Sequence, residues 1–411
     1  MCVLALAPWG GSAAAAEGRI GCPSIIVLPT MLSRATMGYT YVVNFTQQGG
    51  LPPISWSQGG TLPAGLTLNP TSGQLLGAPT QWGSFPISVT ATDANACTGS
   101  RAYTLLVRAG PFVPVALAVD EAGNRVFEPG EAVVVAPSWR NDTGTPEALT
   151  GNAHDFHGPG FAIVDIDGDY GTVGAGATAA CSTATGDCYT FSVAPANPRP
   201  VLHWDGAFAE SLSNTDARNW LLHLGASFSD VPRASGFYRF VETLLHRSVT
   251  GGCGADLYCP SAPTAREQMA VFVLVAREGS GYQPPACTTP VFADVPASSP
   301  FCRWIEELLR RGVVHGCGSG IFCPSDPVTR EQMSVFVLRT LDPALNPPAC
   351  TTPMFADVPA GSPFCKWIEE LVRRGVVTGC GGGNYCPTSP VTREQMAVFI
   401  SVTFGLTLYG P

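Results

Sequence analysis

Charge is scarce in this 411-residue chain: 13% of residues are Asp, Glu, Lys or Arg, and the formal net charge is −9. That balance excludes a general nucleic-acid binder. Long apolar runs are missing too. No stretch of 18 or more apolar residues occurs, so no segment reads as a membrane-spanning helix. Catalytic signatures are equally absent. Neither G-x-S-x-G nor H-E-x-x-H occurs, and the six His are scattered without a partner pattern. Carboxylate pairs such as Glu306/Glu307 lie four residues from Arg310/Arg311 on an amphipathic helix and read as surface charge. No catalytic residue, metal ligand or cofactor is assigned, and the chain is not read as an enzyme.

What the chain has in quantity is 46 Gly, 37 Pro and 15 Cys. The first two favour many turns and short strands. The opening, "MCVLALAPWGGSAAAAEG", joins a short apolar run (Met1–Pro8) to small residues (Ala13–Ala16) before Glu17. Residues 1–16 read as the remnant of a secretory signal peptide. Its removal takes Cys2 and leaves 14 Cys, an even set in spaced pairs that suits an oxidising, extracellular compartment.

One unit is written three times. Phe228, Phe292 and Phe355 open "FSDVP", "FADVP" and "FADVP", at periods of 64 and 63 residues. After each Asp-Val-Pro turn comes a helix such as "SPFCRWIEELLRRG", with Phe301, Trp304, Ile305, Leu308 and Leu309 on one face and Gly312 or Gly375 at its end. A Gly-rich turn then leads to a second helix beginning "TREQM". There Thr329 with Gln332, and Thr392 with Gln395, spell a capping box. The first copy has Ala265 at the cap, so Thr264 is expected to serve or the end frays. Two short helices cannot bury a core alone; three packed copies can.

The cysteines follow the same plan. Cys287/Cys302 and Cys350/Cys365 are C-x14-C pairs in copies two and three. The matching residues of copy one are His223 and Tyr238, so both partners are lost together, as a bonded pair predicts. Cys253/Cys259, Cys317/Cys323 and Cys380/Cys386 occur in all three turns. Zinc is the rival reading, but no C-x2-C or Cys/His quartet appears. Cys22/Cys97 and Cys181/Cys188 complete the expected set of disulfides.

The N-terminal half reads as β. "YTYVVNF", "FPISVTAT" and "AYTLLV" predict a sandwich over about 23–107; "VALAV", "AVVVAPSW" and "CYTFSV" predict a second β domain over about 111–213. "VDIDGDYG" offers Asp165, Asp167 and Asp169, but Tyr170 and Gly176 stand where an EF-hand needs Gly and Glu. "HDFH" offers His154 and His157 without a third ligand. Both read as solvated loops.

The threefold unit, from "F-x-DVP" through "GVV-x-G" to "PVTREQM", resembles the S-layer homology (SLH) repeat of bacterial surface proteins over about 228–404. The resemblance implies an all-α three-repeat bundle with pseudo-threefold arrangement, whose grooves hold anionic, often pyruvylated, cell-wall polysaccharide. It implies that Arg266, Arg330 and Arg393 reach into those grooves. Gly252, Gly316 and Gly379 would let ligand approach the backbone, and Asp230, Asp294 and Asp357 match the opening acid. A guanidinium in the first turn of a helix, beside free backbone N–H groups, suits a carboxylate ligand. The repeats are the less acidic part, with 14 Lys and Arg against 15 Asp and Glu from residue 228 onward. This chain departs from the family in its turn cysteines, in "TREQ" for "TRAE", and in Asp256 where copy two has Gly320.

Residues 23–108, with "LPAGLTL", "GQLLGAP" and "VTATD", resemble the He-PIG, cadherin-like Ig modules of secreted bacterial proteins; "VFEPGEAVVV" and "WRNDTG" look like a further Ig-like module. The expected domains are therefore 17–109 and 110–222, both all-β Ig-like sandwiches, and 223–411, with repeats at about 228–278, 292–342 and 355–404. The expected function is non-covalent anchoring to the cell envelope, with the β domains as spacers or display modules and other surface proteins as further partners. An adhesin, or the targeting tail of a larger secreted hydrolase, is the alternative.

Overall fold

The computed structural model describes residues 22–158, 160–195 and 199–410; the expected leader lies outside them. The chain forms two compact units, one running up to Phe112 with Asn141–Pro146, the other made of Val113–Arg140 with Glu147 onward.

In the first unit, strict alternation sets the core. Along Gly83–Thr92 the residues Ile87, Val89 and Ala91 point inward, and the strand pairs antiparallel with Thr98–Arg108 and Ser55–Gly60. Tyr41–Asn44, Gln74–Gly77 and Leu66–Leu68 make a second sheet. Between them lie Tyr41, Phe45, Trp56, Leu75, Tyr103 and Leu105. Cys22–Cys97 bridges this unit.

The second unit combines β-sheets with helices. One sheet orders Phe112–Val119, Ala132–Asn141, Tyr189–Val193 and Phe161–Asp165, with Thr178–Ala180 on its second strand. The other orders Asp167–Val173, Glu147–His157, Asp205–Leu212 and Ala217–His223. A buried carboxylate centres the β core: Glu210 Oε1 accepts from the Tyr170 and Tyr189 hydroxyls, and Oε2 from Trp139 Nε1 (3.1 Å) and Trp220 Nε1 (2.7 Å). Burial pushes the Glu210 carboxyl up, against these four donors. Asp165, Asp167 and Asp169 are engaged locally: Asp165 takes the Asp167 N–H, Asp169 the Gly171 N–H, and Asp167 the Asn152 amide. His154 bonds Ser211 Oγ and pairs with Asp155.

After the single turn α1 (Cys181–Ala184), two helices follow in each repeat: α2 (Tyr238–His246) and α3 (Arg266–Glu278), α4 (Cys302–Arg310) and α5 (Arg330–Leu341), α6 (Cys365–Arg373) and α7 (Arg393–Thr403). In space α3 packs on α4, α5 on α6 and α2 on α7. Gly312 and Gly375 end α4 and α6 at positive φ, and Thr329 and Thr392 cap α5 and α7 by accepting from the N–H of Gln332 and Gln395. All seven expected cysteine pairs are bonded, including Cys181–Cys188, Cys287–Cys302 and Cys350–Cys365.

Two local readings are corrected. Thr264 does not cap α3: its hydroxyl is buried without a partner, and Ala265 makes no side-chain cap. The helix still starts in register because a neighbouring repeat supplies carbonyls to its first N–H groups. Glu307 is not surface charge but buried, gripped by Arg310, Arg311 and the Tyr282 hydroxyl. The 222/223 boundary falls at the last residue pair of strand Ala217–His223, inside one compact unit. The Tyr409 hydroxyl closes that junction, accepting from Phe127 N and donating to the His223 carbonyl, 2.9 Å each.

Candidate functional site

The nine residues singled out in the repeats build one device three times. It begins with the opening aspartate. Asp230, Asp294 and Asp357 each accept two backbone N–H bonds, 2.8 and 2.7 Å, from the aromatic and the Cys that end the Gly-rich turn: Tyr258/Cys259, Phe322/Cys323 and Tyr385/Cys386. Burial alone would raise the Asp294 carboxyl; the Phe322 and Cys323 N–H bonds outweigh it and hold it below the usual range. These Cys residues have φ of 57–59°, and the bridges Cys253–Cys259, Cys317–Cys323 and Cys380–Cys386 staple that left-handed corner.

The turn glycines serve the chain itself. At Gly316 (φ +95°) a Cβ would meet the Ile321 carbonyl at 2.4 Å and the Phe292 ring at 3.0 Å. Gly252 and Gly379 are confined in the same way by Phe228 and Phe355. Close approach there is by the repeat's own opening Phe.

Each arginine then reaches the next repeat. Arg266 Nε donates to the Phe322 carbonyl (2.8 Å), Arg330 Nε to Tyr385 (2.8 Å), and Arg393 Nε to Tyr258 (2.7 Å). Copy one thus holds copy two, two holds three, and three holds one. Each guanidinium lies 4.6–4.8 Å from the centre of the ring it addresses, with Phe336, Phe399 or Phe272 at 5.7 Å. All three side chains are buried. The Tyr258 and Tyr385 hydroxyls return a bond to the carbonyls of Arg393 and Arg330; Phe322 has no hydroxyl to do so.

The helix starts are occupied, contrary to the expectation of free N–H groups. Arg266 and Glu267 donate to the carbonyls of Asp326 and Pro324, Arg330 and Glu331 to those of Ser389 and Pro387, and Arg393 and Glu394 to those of Ala262 and Pro260. The Gln332 and Gln395 N–H groups are taken by their Thr caps, so in copies two and three no first-turn backbone donor is left for an anion. The positive charge does remain. Every guanidinium bond above goes to a neutral oxygen, and burial lowers the pKa of Arg266 and Arg393 without discharging them.

The structure brings the Asp, Gly and Arg sets into one arrangement, and sequence reasoning missed their aromatic partners Tyr258, Phe322 and Tyr385. The signal was an aromatic directly before the second turn Cys in "LYCP", "IFCP" and "NYCP". It also missed a cluster beside the first repeat, where His203, Asp205, His223 and His246 converge.

Comparison with known proteins agrees with this division. A family model described as "Putative Ig domain" matches residues 23–108, and the S-layer homology domain matches 291–334 and 355–397. An endoglucanase of Bacillus sp. (strain KSM-635) is 34% identical over 106 residues, covering 26% of this chain and 11% of that protein. A cell surface protein of Thermoanaerobacter kivui is 30% identical over 122 residues (29% and 16%), and the S-layer protein sap of Bacillus anthracis 28% over 123 (30% and 15%). The chain thus matches at most about a sixth of these relatives' length. Among the described residues no helix is long and apolar enough to cross a membrane. An Ig-like domain and S-layer homology repeats stand together in this chain, and with the cell surface and S-layer relatives they indicate the cell surface.

Proposed function

We propose that the three repeats form a pseudo-threefold anchor that binds an anionic cell-envelope polysaccharide, pyruvylated or otherwise carboxylated, at the junctions between copies. One observation carries this reading: three buried guanidiniums sit at equivalent junctions, each hydrogen-bonded to neutral oxygens, with carboxylates such as Asp294 and Asp230 acting on them only through space, so their hydrogen bonds leave the positive charge available to an acidic polymer. Arg266, Arg330 and Arg393 supply that charge from beneath. Asp230, Asp294 and Asp357, with Gly252, Gly316 and Gly379, keep the turns in shape rather than touching ligand. On this reading residues 1–16 are a leader, and 17–109 and 110–222 are Ig-like spacer or display modules. Residues 223–411 are the anchor, acting by binding rather than catalysis.

The test is co-sedimentation of the full chain with purified envelope from the source organism, with depyruvylated envelope as the second arm. Binding that falls with depyruvylation and with rising salt supports the proposal. Binding indifferent to both refutes an anionic ligand, and no binding in any arm refutes the anchor. The endoglucanase relative favours a second reading, that such repeats form the targeting end of a larger secreted hydrolase; in-frame sequence upstream of Met1 tests it.

A further inference from the structure

We propose that His203, Asp205, His223 and His246 form a binding site for a divalent transition cation, zinc foremost, which clips the β-sheets of the second unit to its first repeat. The four residues come from separate elements. Asp205 opens strand Asp205–Leu212, and His223 ends the adjacent strand directly opposite it in register. His246 is the last residue of α2, and His203 lies just before Asp205. One ligand atom from each lies within 4.8 Å of all the others. Asp205 is the hub: Oδ1 is 2.9 Å from His223 Nδ1 and 3.8 Å from His246 Nδ1, and Oδ2 is 3.1 Å from His203 Nε2. A tetrahedral zinc ion with bonds of about 2.0–2.1 Å spaces its ligand atoms about 3.3 Å apart, and these separations bracket that value.

Two features point to a cation rather than to a hydrogen-bond cluster. His246 has only 6% of its side chain exposed, and its Nδ1 is buried with no hydrogen-bond partner, aimed at Asp205 from beyond hydrogen-bond range. His223 is oriented from behind. Buried Glu242, which also accepts from Ser227 N and Oγ, lies 2.7 Å from His223 Nε2 and accepts a hydrogen bond from its N–H. With that tautomer, His223 Nδ1 turns a lone pair toward the Asp205 carboxylate, an arrangement that needs a positive charge between the two. A carboxylate behind a histidine ligand is the usual support of a zinc site. A proton serves the same place in the absence of metal, and burial opposes it while the Asp205 and Glu242 bonds favour it.

The repeat pattern says what the site replaces. His223 and Tyr238 occupy the positions of Cys287/Cys302 and Cys350/Cys365, whose disulfides tie the segment before each Asp-Val-Pro turn to the first helix. Copy one lacks that bridge, and the metal would tie the same segment to the same helix. Three imidazoles and a carboxylate favour zinc over magnesium or calcium, and four protein ligands leave no open position, so the role is structural. His203, 39% exposed, gives the ion its way in.

The full chain, purified without a histidine tag and stripped with chelator, is dialysed against zinc and assayed by elemental mass spectrometry, with the melting temperature measured in parallel. Cobalt substitution reads the geometry through its visible absorption. About one zinc per chain and a zinc-dependent rise in melting temperature are expected. His203→Ala, at the exposed edge, and His246→Gln are each expected to weaken zinc binding tenfold or more. A control carrying His154→Ala and His157→Ala should bind as the parent does. A parent chain that takes up no zinc, or variants that retain it unchanged, overturns the proposal. His203→Ala keeps the test valid if His246→Gln fails to fold.

Discussion

Replacing Arg393 by Met keeps most of the side-chain volume and removes the charge that closes the ring from copy three to copy one. The structure gives the size of the loss. One hydrogen bond from a charged donor to the Tyr258 carbonyl goes, worth about 1.5–3 kcal/mol. The cation over the Tyr258 ring adds about 1–2 kcal/mol in this buried setting. The Thr250 contact at 3.3 Å is marginal, and Met recovers part of the packing. The expected net cost is about 3–4 kcal/mol. Two compact units make a single melting curve hard to interpret, so the assay is amide hydrogen exchange resolved by peptide. Protection should fall in α7 and in the turn around Tyr258, with residues 23–108 unchanged. A loss below about 1 kcal/mol would refute the claim that this arginine holds the repeats together. If polymer binding then disappeared while protection held, the arginine would be a ligand group alone.

Three further outcomes are expected. Burial opposes ionisation of Glu307, but bonds from Arg310, Tyr282 and Arg311 outweigh it and hold its carboxyl at about 2 against an unperturbed 4.5. Its contribution is therefore present above pH 4.5 and lost as pH falls through 2. The full shift corresponds to about 3 kcal/mol, which we discount to about 1–2 because Arg310 is largely exposed; Glu307→Gln should flatten the acid limb of a stability–pH curve by that amount. Ala265→Thr should restore the missing cap beside Gln268 and stabilise α3 by about 1 kcal/mol, read as slower exchange in its first turn. Glu210→Gln should cost about 3 kcal/mol in urea unfolding, because whichever oxygen becomes the amide NH2 meets two of the four groups that donate to it.

Local features of this molecule were readable from the chain because their causes are local. Thr329 and Gln332 are three residues apart and write their own helix start; Gly312 follows its helix directly; the turn cysteines are six apart. Misreadings arose where the partner is distant. Glu307 looks like surface charge on a helical wheel, and becomes buried because Tyr282, from the preceding linker, folds over it. The arginines bond to residues 55 to 135 positions away, and a period of 63 or 64 residues cannot say which copy docks on which. The histidine cluster depends on strand register, which pairs Asp205 with His223, and on where α2 ends; neither is visible in spacing along the chain.

The circular order of the arginine contacts also governs when this protein can become itself. The Tyr258 turn of copy one is completed only by Arg393, and the seam at Phe127 and His223 only by Tyr409. The turn of copy one precedes the arginine that completes it by 135 positions along the chain. The ring of three repeats therefore closes only once the last copy is present. Until then each turn rests on the opening aspartate and the disulfide of its own repeat.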